Sequence, residues 1–328
     1  MTLDSARAPA PLVYHPAGHD AELRVAVEDL QAGRWMSTRA LLVTTGQDWS
    51  LRASRTQVLG MVAARSDVLG RWAGEDPESA DLGVLQARAM TGQAVAAHQS
   101  GSRQTAQLER AAREASWRAA KVLPADPVPW MCLLALAVVD PEQQRPEHRH
   151  PAPDVMLREG PWGLLWQAHA RDPFGREAYH RMLRYLLAVH RWSATDFVNY
   201  VLPNVPSGSP LAALPLYVSV EQYRTELRKD GARRQWTREP HSSRALAAFE
   251  SWRAAPAGEQ WPVVDLSYLA HALWAGVEMK KASMVFDALG SFASQQPWTS
   301  VADAPDRAED FLYTARIQAY VGRATAMA

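Results

Sequence analysis

The sequence has a single cysteine and no excess of charge of either sign among its 328 residues. Because Cys132 is the only cysteine, an internal disulfide framework and an all-cysteine zinc site are excluded. Basic and acidic side chains number 35 each, so the formal net charge is zero. A dedicated nucleic-acid binder usually carries a basic surface, and we therefore expect no nucleic-acid partner.

Long hydrophobic runs are also lacking. The most apolar stretch, 129–139, is shorter than the roughly 20 residues that a membrane-spanning helix needs. Residues 1–16 lack the basic start and apolar core of a secretory signal. Together with the lone cysteine, these features predict a cytoplasmic protein with no membrane partner.

Tryptophan, by contrast, is abundant, with thirteen copies scattered along the chain. Scattered aromatic side chains are typical of residues that fill the gaps between stacked helices. An aromatic-lined ligand pocket is the alternative interpretation of the same feature.

Helical spacing of apolar residues recurs through the chain, and no stretch alternates with the period of a half-buried strand. The central stretch predicts a helix over 161–170, a break at Asp172-Pro173 and a second helix over 176–191. Asp20 and Asp48 precede two further apolar-periodic segments as N-caps. The sequence therefore predicts an all-α fold.

The predicted domain organisation is simple. Residues 1–18 are rich in proline and glycine, which predicts a flexible leader. Residues 19–328 form a single helical-repeat domain, with an alternative sub-boundary in the irregular segment 140–160. The connections 140–160 and 230–242 are too polar or proline-rich to predict as helices.

An Asp-Pro junction occurs three times, at Asp76-Pro77, Asp126-Pro127 and Asp172-Pro173. The junctions lie 50 and 46 residues apart (126 − 76 and 172 − 126). A recurring helix break at this interval predicts an α-solenoid of degenerate helical hairpins. An alternative register pairs Ala119 and Pro124 with Ala168 and Pro173, the Ala-x4-Pro spacing that ends tetratricopeptide units.

Three groups of residues carry a family resemblance: Gly33-Arg34-Trp35 with Leu41-Leu42; Arg171-Asp172-Pro173 with Arg176-Glu177-Ala178 and His180-Arg181-Met182-Leu183; and Ser209-Pro210-Leu211 with Leu214-Pro215-Leu216. They resemble a group of actinobacterial helical-repeat proteins that are tetratricopeptide-like and have no established activity. The resemblance implies a stacked helical scaffold and supplies no catalytic residues. The long connections depart from a regular tetratricopeptide pattern.

Helical spacing places Glu177, His180 and Arg184 on one face of the central helix. A carboxylate that orients a histidine is an arrangement used in acid-base catalysis, so Glu177 and His180 are the candidate catalytic residues. A row of surface salt bridges would have the same spacing. We also predict partner binding by Trp162, Trp166, His180 and Arg184, because aromatic and arginine side chains dominate binding hot spots.

The segment 147–150 contains the best metal-ligand candidates, Glu147, His148 and His150. A solvated loop is the simpler interpretation, because no fourth ligand is apparent. We therefore predict no metal and no cofactor.

Two functional hypotheses follow from the sequence. The first is a helical-repeat scaffold that binds a peptide or partner protein on a concave face. The second is an all-α enzyme of secondary metabolism with an aromatic- and histidine-lined pocket between helices. Titratable side chains that converge in a closed pocket would favour the enzyme.

Overall fold

The computed structural model describes residues 11–226 and 233–325, which form sixteen α-helices. The first ten are α1 (Ala21–Gln31), α2 (Met36–Thr45), α3 (Trp49–Ala63), α4 (Val68–Glu75), α5 (Ala80–Gln99), α6 (Thr105–Val122), α7 (Val128–Leu136), α8 (Trp162–His169), α9 (Arg176–Val189) and α10 (Ser193–Val201). The other six are α11 (Leu214–Thr225), α12 (His241–Arg253), α13 (Val263–Ala275), α14 (Met279–Leu289), α15 (Trp298–Val301) and α16 (Ala308–Thr325). The all-α prediction is confirmed. Within the described residues the β-type pairs are two isolated bridges, Val13 with Phe292 and His150 with Gly160.

The helix starts follow from local chemistry. The Asp20 carboxylate accepts a hydrogen bond from the Leu23 amide at 2.9 Å, and that of Asp48 accepts one from the Leu51 amide at 3.1 Å. Each bond satisfies a backbone donor that the first helical turn leaves free. Both predicted N-caps are therefore confirmed.

No helix in the described ranges is long and apolar enough to cross a membrane.

The chain divides into two compact units, and the division falls between Pro206 and Ser207. The N-terminal unit is Asp20–Pro206, and the C-terminal unit combines residues 1–19 with 207–328. The predicted single domain over 19–328 is thus two units. The alternative sub-boundary at 140–160 lies inside the N-terminal unit, because that segment is hydrogen-bonded to the helices around it.

Part of the predicted flexible leader is held in place. The Val13 amide donates to the Ser291 carbonyl at 2.9 Å, and the Ala293 amide donates to the Val13 carbonyl at 3.1 Å. These backbone bonds tie residues near 13 to the end of α14. Residues 1–10 of the predicted leader, and 227–232 of the predicted 230–242 connection, lie outside the described residues.

The core of the N-terminal unit is built around α7, the most apolar segment of the sequence. Every residue of α7 except Trp130 is buried, as expected for a helix that is apolar on all sides. It packs against α5, α6, α8 and α9. Cys132 lies in this helix, and its burial raises the pKa of the thiol.

The three Asp-Pro junctions have different surroundings. Asp126 is fully buried and accepts a hydrogen bond from Arg52 of α3 at 2.7 Å. Asp172 accepts one from Ser50, also of α3, at 3.0 Å. Asp76 instead faces Arg39 at 3.5 Å. Two junctions thus contact a helix far away in sequence, whereas units of a solenoid contact their neighbours.

Candidate protein-interaction surface

Glu177, a candidate catalytic residue, belongs to a buried ion-pair cluster. Its carboxylate accepts hydrogen bonds from Arg88 of α5 at 2.5 and 2.6 Å and from Arg181 at 2.9 and 3.0 Å. These two guanidinium groups outweigh the effect of burial and lower the pKa of Glu177 to about 2. The Glu177 carboxylate is therefore hydrogen-bonded to two arginines, whereas the sequence predicted that it would orient His180.

His180 lies among cations. Burial, together with the positive charges of Arg176, Arg181 and Arg184, holds its pKa well below the ordinary value. The charges that lower this pKa belong to arginines, whereas in the predicted catalytic pair the Glu177 carboxylate would orient the imidazole. Arg184 is exposed, as a partner-binding residue would need to be.

Trp162 is fully buried, and this corrects its predicted role as a contact for a partner. Its indole N–H donates to the Arg158 carbonyl oxygen at 2.8 Å, so it supports the neighbouring loop from inside. Trp166 is half-buried, and its ring lies 6.3 Å from that of Trp162. Of the four predicted anchors, only Arg184 is exposed on the surface.

The metal-ligand candidates do not converge. Glu147 is paired with Arg113, and the Asp140 carboxylate accepts a hydrogen bond from His148 Nδ1 at 2.8 Å. His150 is exposed, and its Nδ1 lies 3.1 Å from the Pro151 carbonyl oxygen. Among the described residues no group of three or more histidine, cysteine, aspartate or glutamate side chains could hold a metal ion.

The three most exposed large apolar side chains of the described residues belong to the N-terminal unit, two on the loop 151–159 and one at the joint between α9 and α10. Val155 is 99% exposed, Trp192 is 91% exposed and Met156 is 71% exposed. Arg158, two residues after Met156, shares a surface depression with Trp192. We call these four residues, Val155 and Met156 at the tip of the loop and Arg158 and Trp192 beside the depression, the corner surface.

A tight turn explains why Val155 and Met156 project outwards. The Leu157 amide donates to the Asp154 carbonyl at 3.1 Å, and the Met156 amide donates to the Asp154 carboxylate at 2.8 Å. Val155 and Met156 therefore occupy the two central positions of a β-turn. Leu157 is buried and holds the turn against the unit.

The base of this loop is closed by polar contacts. His150 and Gly160 exchange backbone hydrogen bonds at 2.9 and 3.1 Å. The side-chain amide of Gln143 donates to the Glu159 carbonyl at 3.3 Å and also to the Tyr185 hydroxyl. This loop is fixed at both ends and holds its apolar tip in water.

Trp192 lies at the joint between α9 and α10. It is the N-cap of α10, whose buried side includes Ala194, Phe197 and Val198. Its own side chain lies off that buried side, and it is the most exposed of the thirteen tryptophans. Burial of a tryptophan removes about 150–250 Å² from water, worth roughly 4–6 kcal/mol at about 25 cal/mol per Å². Because Trp192 is exposed, the fold does not gain this stabilisation.

The depression beside Trp192 has a volume of about 410 Å³. Its lining residues include two arginines and one histidine and no carboxylate: Arg158, Leu187, Ala188, Val189, His190, Arg191, Trp192 and Ser193. Burial and the nearby charge of Arg158 lower the pKa of His190. The depression is therefore basic and partly apolar.

Sequence reasoning missed the corner surface, although two signals were present. Valine and methionine occupy a proline-rich turn, where small polar residues and glycine are usual. Trp192 directly precedes the start of a helix, where no apolar-periodic position requires it.

Comparison with known proteins returns no match among family models, curated proteins or solved structures. The resemblance to actinobacterial helical-repeat proteins therefore stays a prediction.

Proposed function

We propose that this protein is a helical interaction module that binds a segment of a partner protein at the corner surface. The observation that carries the proposal is the exposure of Val155, Met156 and Trp192. They are the three most exposed large apolar side chains among the residues that the structure describes. Exposed large apolar side chains with arginine nearby are typical of protein-interaction sites. The degenerate helical repeat predicted from the sequence would act as the scaffold.

Rigidity supports the same proposal. The turn at 154–157 is closed by Asp154, and the base of the loop is held by Gln143 and by the bridge between His150 and Gly160. A binding loop that is ordered before it meets its partner loses less conformational entropy on binding. The polar contacts of the turn and of the loop base thus serve to present the apolar tip.

A quantitative affinity capture tests the proposal. We expect proteins captured by the wild-type chain from its native host to be lost with Trp192→Ser and reduced with Met156→Ser. Trp117→Ser is the matched control, because Trp117 is a partly exposed tryptophan, 36% exposed, on α6. Capture that is equal for wild type and Trp192→Ser would contradict the proposal.

A further inference from the structure

We propose that the partner segment bound at the corner surface is acidic, with a carboxylate next to a leucine or an aromatic side chain. This inference rests on the proposed function and specifies the chemistry of the partner. It is drawn from the charges and shape of the depression beside Trp192.

The charge of the depression is one-sided. Arg158 contributes a guanidinium group to its lining, and none of the lining residues is acidic. Complementary charges across an interface raise the association rate and reject partners of the wrong sign. A carboxylate would therefore be favoured in this depression over an ammonium group.

Arg158 is the cation best placed to recognise that carboxylate. It is exposed, and within the described residues it forms no side-chain ion pair. The Trp162 indole fixes its backbone by donating to its carbonyl oxygen at 2.8 Å. Its guanidinium can bind both oxygens of a carboxylate in a fork geometry that lysine lacks.

The acidic residues of the same loop face a different depression. Asp154 and Glu159 line a second hollow together with Val155 and Leu157, whereas Arg158 lines the one beside Trp192. The loop thus separates its charges onto two sides. The positive side is the one that contains the exposed tryptophan.

The apolar part of the proposed ligand follows from the other lining residues. Leu187 and Val189 are half-buried and form part of the wall beside Trp192. A volume of about 410 Å³ lies within the range of small ligand sites and is enough for a large side chain. A concave wall of this kind suits an inserted side chain better than the flat face of a lipid bilayer.

A peptide selection tests the inference directly. A random peptide library displayed on phage is selected against the wild-type chain, and clones that also bind Trp192→Ser are removed. We expect the remaining peptides to be enriched in aspartate or glutamate next to leucine, phenylalanine or tryptophan. Synthetic copies should bind Arg158→Glu about tenfold more weakly than wild type, because the substitution replaces an attraction by a repulsion.

The matched control is Arg103→Glu, which reverses the charge of another exposed arginine without a described ion pair. It should leave the affinity unchanged. Peptides that depend on Trp192 but are neutral or basic would overturn the acidic specificity and leave the proposed function standing. The absence of any peptide that depends on Trp192 would count against both.

A membrane surface is the remaining alternative, and vesicle sedimentation decides it. Vesicles of phosphatidylcholine with phosphatidylserine should not retain the wild-type chain. Retention that is lost with Trp192→Ser would overturn the assignment of a peptide ligand.

Discussion

Each unit contains a different example of a buried titratable side chain. In the N-terminal unit the buried arginines are paired with carboxylates, as in Arg52 with Asp126 and Arg88 with Glu177. In the C-terminal unit His271 of α13 is buried among the rings of Trp236, Trp274 and Trp298, at 4.8, 6.1 and 5.4 Å. Burial lowers the pKa of His271 to about 3, so the ring is neutral near pH 7.

The difference shows two solutions to the same energetic problem. A side chain that cannot lose its proton, such as that of arginine, needs a partner of opposite charge when it is buried away from water. A histidine can be buried without such a partner, because it can release its proton. The ion pairs should therefore be sensitive to mutation, and the histidine should be sensitive to pH.

The largest expected effect comes from removal of a buried cation. Arg88→Met leaves Glu177 buried with only Arg181, and the N-terminal unit should lose about 3–5 kcal/mol of unfolding free energy. Hydrogen exchange of peptides from α5 and α9 measures this loss for the unit itself. The exposed control Arg103→Met should change stability by less than about 0.5 kcal/mol.

A double variant separates charge from packing. Arg88→Met with Glu177→Gln should be more stable than Arg88→Met alone, because the double variant removes the buried carboxylate that Arg181 alone would compensate. If both variants lost equal stability, the Arg88 side chain would act through packing alone. Glu177→Gln by itself keeps the shape of the side chain. It replaces Arg88→Met in the stability measurement if that variant does not fold.

The next largest effect on stability is expected when acidification allows His271 to bind a proton. Its folded pKa, about 3, is below its ordinary value of 6.5, so the unfolded state binds a proton more readily. The stabilisation is complete above pH 6.5 and is lost as the pH falls from 6.5 towards 3. At pH 5 the loss should be about 2 kcal/mol.

Hydrogen exchange of peptides from α13 at pH 7 and pH 5, corrected for the intrinsic exchange rate, reports this loss. His271→Leu should remove about 2 kcal/mol of the pH dependence, and His98→Leu on α5 should not change it. The ion pair of Glu177 should persist at pH 5, because that carboxyl is protonated only as the pH falls through about 2. An unchanged pH dependence in His271→Leu would contradict the neutral buried state.

A smaller effect tests whether polar contacts also hold the surface of the N-terminal unit. Gln143→Ala removes the donor to the Glu159 carbonyl and to the Tyr185 hydroxyl. The loss should be about 1 kcal/mol, the usual contribution of such a hydrogen bond. Faster hydrogen exchange confined to residues 151–159 should accompany it, whereas Gln144→Ala, whose side-chain amide bonds only to exposed Glu142, should have no effect on the loop.

The smallest effect is expected at the exposed tryptophan. Trp192→Ser should change the unfolding free energy by less than about 0.5 kcal/mol, because the indole is 91% exposed. Urea unfolding measures this change. A loss of several kcal/mol would show that Trp192 stabilises the fold, and the corner surface would lose its main anchor.

Local sequence determined the helices of this protein. N-capping by Asp20 and Asp48, the predicted helix over 161–170 and the break at Asp172-Pro173 all depend on residues within a few positions of each other. Such patterns establish where a helix begins, where it ends and which side is apolar. They therefore predicted the all-α fold without any knowledge of the packing.

Tertiary structure alone decided what those helices do with their polar and aromatic side chains. Glu177 is buried because Arg88, 89 residues earlier, reaches its carboxylate. Trp162 is buried and Trp192 is exposed, although both lie at the start of a helix. Helical spacing is the same in each case, and only contacts between distant segments determine which face meets the core and which meets water.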